Sequence, residues 1–184
     1  NIRSHRVTMR AIVYSAGPSM RNWISAGGYK QHADDPLRIG INGAFQLLPD
    51  RWCHWNASAD LRAYRADYTT KRSTVGFCCL TPLYLADIAS EGWSGRAITW
   101  DSLPALRKVC TPSWSITGAI ALADFLGATD ICVYGWDMAI GKDSAVEPSD
   151  YTDDRAIREK RELADLRRAI AGTITIVPTT EHNA

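Results

Sequence analysis

The chain has 184 residues, 46% of them apolar and 22% charged, the make-up of a globular protein long enough to bury a core without disulfides or metals. Lys and Arg number 21 against 20 Asp and Glu, so no bulk field draws it to nucleic acid or to a membrane surface. No apolar run approaches the ~20 residues that span a bilayer. The expectation is therefore a soluble, cytoplasmic protein folded as a single domain over residues 1–184.

In chain order, Ala11, Ile12, Val13 and Tyr14 form a continuous apolar run, as in a strand covered on both faces. A turn follows, then a helix ending near Gly27 and Gly28, where glycine supplies a left-handed cap. Residues 37–42 read as a second strand. Residues 52–56 read as a third, with a short helix over 59–68. Residues 74–80 read as a fourth, and Pro82 suits the first turn of a helix running to about residue 90. Residues 96–100 are a weaker strand. Residues 115–126 are helical and apolar nearly all round, which marks a buried helix, and Gly127 ends it. Residues 131–134 are a strand breaking at Gly135. Residues 139–152 read as a long mobile loop. Residues 153–170 form a charged amphipathic helix stopped by Gly172, and 173–177 are a last strand. Alternating strands and helices predict an α/β fold with a mainly parallel sheet and helices on both faces.

The five cysteines, Cys53, Cys78, Cys79, Cys110 and Cys132, include no CxxC spacing, and four lie in apolar stretches. They are expected to be reduced, mostly buried thiols acting as small hydrophobes. His54, beside Cys53, is expected to be a structural histidine.

Polar residues gather where strands end and helices begin, which is where open α/β sheets bind ligands. After the first strand comes Ser15-Ala16-Gly17-Pro18-Ser19. Gly17 permits close approach, Pro18 is preset for a first helical turn, and Ser19 adds a hydroxyl at a helix N-terminus that favours anions. This is neither a Walker loop nor GxGxxG, and an ordinary turn between strand and helix would use the same residues. Asn42-Gly43 closes the second strand as a turn or as a ligand contact. Asn56, Ser58 and Asp60 fall at or beyond the end of the third, where Asp60 is also a natural helix cap. Ser113-Trp114-Ser115-Ile116-Thr117-Gly118 opens the buried helix as a second anion-tolerant N-terminus. Gly118, costly there relative to alanine, points to close packing or close ligand approach. Trp136-Asp137 follows the Gly135 strand end, where an acid can take a sugar hydroxyl, a metal or a proton.

This order of motifs resembles two related groups, the bacterial lipooligosaccharide sialyltransferases and the 6-hydroxymethylpterin diphosphokinase-like domain. The likeness covers roughly residues 10–138 and is closest from Thr117 to Asp137. It implies a Rossmann-like fold binding a nucleotide or nucleotide-sugar donor. Gly17, Pro18 and Ser19 would approach the phosphate, Asn42 and Asn56 the ribose, phosphate or transferred group, and Thr117-Gly118 the nucleoside. Asp60 and Asp137 match acids more typical of the diphosphokinase branch, which uses ATP and Mg²⁺. The chain carries Ser15-Ala16 where the sialyltransferases have Gly-Asn, and residues 139–152 hold no histidine to match their general base.

The expectation from sequence is thus a nucleotide-binding transferase with glycosyl transfer slightly favoured. The alternatives are an ATP/Mg²⁺ diphosphokinase-like enzyme and a nucleotide-binding module without turnover. Asp137 and Asp60 are the candidate bases, with Tyr151 or Asp150 from the loop. The expected ligand contacts are Ser15, Gly17, Pro18, Ser19, Asn42, Gly43, Asn56, Ser115, Thr117, Gly118 and Trp136. The acceptor is open, and so is oligomerisation, for which the seven tryptophans leave room.

Overall fold

Seven parallel strands run in the order β5-β4-β3-β2-β1-β6-β7 in a computed structural model that describes residues 8–59, 76–79, 86, 96–137 and 152–179. They are β1 (Arg10–Tyr14), β2 (Leu37–Ile41), β3 (Trp55–Ser58), β4 (Gly76–Cys79), β5 (Arg96–Thr99), β6 (Asp130–Tyr134) and β7 (Thr173–Val177). The described helices are α1 (Met20–Ser25), α2 (Ala44–Leu47), α3 (Ser115–Phe125) and α4 (Asp153–Ala169), with short 3-10 segments at Gly28–His32, Trp100–Ser102 and Pro104–Lys108. The expected helices over 59–68 and from Pro82, and the expected loop 139–152, lie outside the described residues apart from Ala59, Ala86 and Thr152.

The sheet divides two cores, as a Rossmann-like α/β fold requires. Ala11, Val13, Ile131 and Val133 face α3 and α4, whereas Ile12, Tyr14 and Tyr134 face Met20 and Trp23 of α1 and Ala44 of α2. Because successive side chains of a strand alternate faces, the apolar run of β1 serves both cores at once. α3 is buried from Ser115 through Ala123. It ends in a Schellman turn, with Gly127 at φ 95° and the Ala128 N–H donating to the Ala123 carbonyl at 3.0 Å. α4 begins at Thr152, whose hydroxyl accepts from the Arg155 N–H at 3.3 Å. Asp153 and Asp154 in its first turn, with Arg167 and Arg168 in its last, match the helix dipole.

One boundary differs from expectation in a way that affects the site. β3 covers Trp55–Ser58 rather than 52–56. Trp52 closes a turn on the Pro49 carbonyl, and His54 exchanges hydrogen bonds with the Arg38 backbone just before the strand starts. Asn56 and Ser58 therefore lie inside the strand and are buried.

Candidate functional site

Parallel strands bring the ends of β1, β2, β3 and β6 to one edge, through pairs such as Tyr14 with Tyr134 and Ile41 with Ala57. The edge has two halves.

On the β1–β6 half the pairing continues past the strands. Ser15 N–H donates to the Tyr134 carbonyl and Gly17 N–H to the Gly135 carbonyl, both at 2.9 Å. Gly135 turns at φ 69°, a conformation glycine adopts without strain. A methyl group on Gly17 would overlap the Gly135 carbonyl oxygen and stand 2.6 Å from Asp137 Oδ2. Close approach at Gly17 is real, then, but what approaches is the turn after β6. Asp137 accepts the Ser19 N–H at 2.8 Å on Oδ2 and the Ser19 hydroxyl at 2.6 Å on Oδ1. Thr179 joins them, its hydroxyl 3.4 Å from Asp137 Oδ1 and bonded to that of Ser19. The carboxylate thus occupies the start of the six-residue α1, next to Pro18, where an incoming anion was expected.

The β2–β3 half is built around Asn42. Its backbone is left-handed, φ 50°, a state that asparagine tolerates better than most residues. Its Oδ1 accepts the Ser58 hydroxyl at 2.9 Å and the Ser115 hydroxyl at 2.7 Å. Asn56 Nδ2 donates to the Asn42 carbonyl at 3.3 Å. Ser115 Oγ already accepts the Ala59 N–H at 2.8 Å, so its own hydrogen needs an acceptor, which fixes the Asn42 oxygen on that side. The Asn42 Nδ2 hydrogens are then turned away from both serines, and they meet no acceptor among the described residues. Gly43, buried, leads into α2 and takes the Gln46 N–H on its carbonyl at 2.9 Å.

Several expected contacts face the protein interior instead. Thr117 donates its hydroxyl to Glu162, which also takes the Ser113 N–H at 3.0 Å and the Ser113 hydroxyl at 2.8 Å. Gly118 lies against the Trp100 indole, where a side chain would have no room. Trp136 is buried and donates its indole N–H to Glu159 at 2.6 Å, and Arg155 Nε meets the same carboxylate at 3.0 Å. Thr117 and Gly118 therefore mark packing against α4 and Trp100, and Trp136 joins β6 to α4. Asp60, Asp150 and Tyr151 lie outside the described residues.

The sequence reading missed Glu159 and Glu162. A signal existed, because Ala156, Glu159, Leu163, Leu166 and Ile170 recur at helical spacing on the buried stripe of α4. Acids within such a stripe must find buried donors.

Other titratable groups nearby are structural. Burial pushes the Cys53 thiol up to about 12, so it is a core group and not a nucleophile. Burial likewise raises Tyr14, whose phenol oxygen accepts the Trp52 indole N–H at 3.1 Å.

Fold and edge together define an α/β protein of Rossmann-like type with a polar edge at the carboxyl ends of its strands. No protein-family model, curated protein or solved structure matches the chain.

Proposed function

We propose that the chain binds a nucleotide or nucleotide-sugar at this edge and acts as a transferase, with a glycosyl group slightly favoured as the moiety transferred. The reading rests on the Asn42 amide. Its oxygen is taken by two serine hydroxyls and its nitrogen, among the described residues, is left to donate, so the group it suits is an acceptor such as a phosphate, ribose or carbonyl oxygen. A donor held in this way needs no reorganisation when charge develops on a leaving phosphate.

A second reading, a module that binds the ligand and leaves it intact, is favoured by Asp137. Both of its oxygens already hold Ser19, so a base or a Mg²⁺ ligand in a diphosphokinase-like reaction would have to work from the lone pairs that remain. Binding alone makes no such demand.

Thermal-shift measurements against nucleoside mono-, di- and triphosphates and nucleotide-sugars, each with and without Mg²⁺, test the proposal. A selective ligand raises the melting temperature as its concentration rises. Asn42→Asp, which keeps the acceptor for both serines and removes the donors, should abolish that rise with little change in the unliganded protein. No shift with any compound, or an undiminished one in Asn42→Asp, defeats the reading. Hydrolysis or transfer with the bound compound separates the transferase from the module, and Mg²⁺-dependent ATP binding marks the diphosphokinase alternative.

A further inference from the structure

Trp114 immediately precedes α3, and Arg155 and Arg158 lie one turn apart in α4. Their guanidinium carbons stand 4.8 and 5.5 Å from the centre of the Trp114 ring. Each contact is favourable alone, because the ring face is negative. Two cations sharing one ring also repel each other, and their surroundings answer them unequally. Arg155 Nε donates to the buried Glu159 carboxylate. Arg158 Nε reaches only the Asp154 backbone oxygen, at 3.4 Å, and its terminal nitrogens meet no acceptor among the described residues. Glu162 on the same side of α4 is engaged by Ser113 and Thr117. The Trp114 indole N–H is itself buried, with no partner among the described residues. Among the described residues, the Arg158 terminal nitrogens and the Trp114 N–H are thus donors without an acceptor.

Ring contact also restricts the orientation of a guanidinium and so prepares its N–H fork for a bidentate partner. Arg158 and Ser113 are exposed, so this side of the cluster is open to solvent. We infer that Arg158, held over Trp114 beside Arg155, is the principal contact of a binding site for an oxyanion, either a phosphate or a carboxylate group. The site goes beyond the nucleotide reading, since its two arginines lie on α4, whereas the Asn42 cluster is built from β3 and the start of α3.

Titration of the ¹⁵N-labelled chain with sodium phosphate, and separately with sodium acetate, at constant ionic strength tests it. The signals followed are the Arg158 Nε–H and Trp114 Nε1–H correlations. Saturable shifts of both are expected, with phosphate or acetate as the tighter probe naming the group. Arg158→Lys keeps the charge and loses the fork, and should bind about tenfold more weakly, the scale of a charge-assisted hydrogen bond. Arg167→Ala, at an exposed arginine in the far turn of α4, should bind as the unaltered chain does. Shifts that never saturate, or equal affinity in the Arg158→Lys and Arg167→Ala variants, overturn the site. The nucleotide reading fails separately, because Asn42→Asp should lose nucleotide binding and keep the phosphate shifts at Arg158.

Discussion

The two halves of the sheet edge are made from the same kinds of residue, yet they end in opposite states. On the β1–β6 half, the donors of Ser19 are answered by Asp137, a residue of the chain itself. On the β2–β3 half, the Asn42 oxygen is answered by Ser58 and Ser115 while its nitrogen meets no acceptor among the described residues. The start of α3 repeats the first pattern, with Glu162 taking the Ser113 and Thr117 donors. Glycine, serine and asparagine at chain turns can thus satisfy the protein's own ends or be left with bonding capacity to spare. Which of the two prevails is decided by a partner far away in sequence.

The largest effect should come from closing the tight turn. Gly17→Ala drives a methyl group into the Gly135 carbonyl, backbone that cannot rotate aside, and should cost about 3 kcal/mol. A urea midpoint unchanged from the parent would show that the β1–β6 half is looser than described. Next, Glu162→Ala leaves the Ser113 and Thr117 donors without their acceptor and should cost about 2 kcal/mol, with Glu162→Gln recovering part of it. If both variants melt with the parent, α3 does not depend on this cap.

Asp137→Ala should cost about 1 kcal/mol as a lost helix cap. It sharpens the comparison directly, because a ligand confined to the Asn42 half should bind this variant as before. Tighter binding would instead move the ligand phosphate onto Ser19.

The smallest effect is a pH dependence. His54 has its pKa lowered from 6.5, first by burial and then by Arg38 and Arg96. The unfolded chain takes up the proton more readily, so this contribution is complete above 6.5 and is lost as pH falls through the lower folded value. Melting temperatures from pH 7.5 to 5 should fall less steeply in His54→Asn; parallel curves would remove His54 from the balance.

Much of the fold was legible because long apolar continuity is a strong signal. β1, β6 and α3 follow from it within a residue or so, as do β7 from alternation and α4 from its amphipathic stripe. β3 did not, since Trp52 and Cys53 look like strand residues but pack into the core, Cys53 fully and Trp52 in part, ahead of the strand. Within the site, Asn42 was legible as an Asn-Gly pair at a strand end. The fixing of its amide was not, because that depends on Ser115 from a distant helix. Nor was the engagement of Asp137, whose partner Ser19 lies 118 residues away. Local sequence marks which residues can bond, and the fold decides with whom.

The strand order has a consequence for how the protein is made. β1 pairs with β6 along its whole length, and Arg10 bonds to Asp130 across 120 residues. A chain emerging from the ribosome can join β1 to β2 early, but one side of β1 stays unmatched until residue 134 has appeared. Loops of this length close slowly, and an unmatched apolar strand is a template for the wrong neighbour. Chains halted before β6 should therefore be aggregation-prone, and the moment of risk in biosynthesis falls just before the sixth strand arrives.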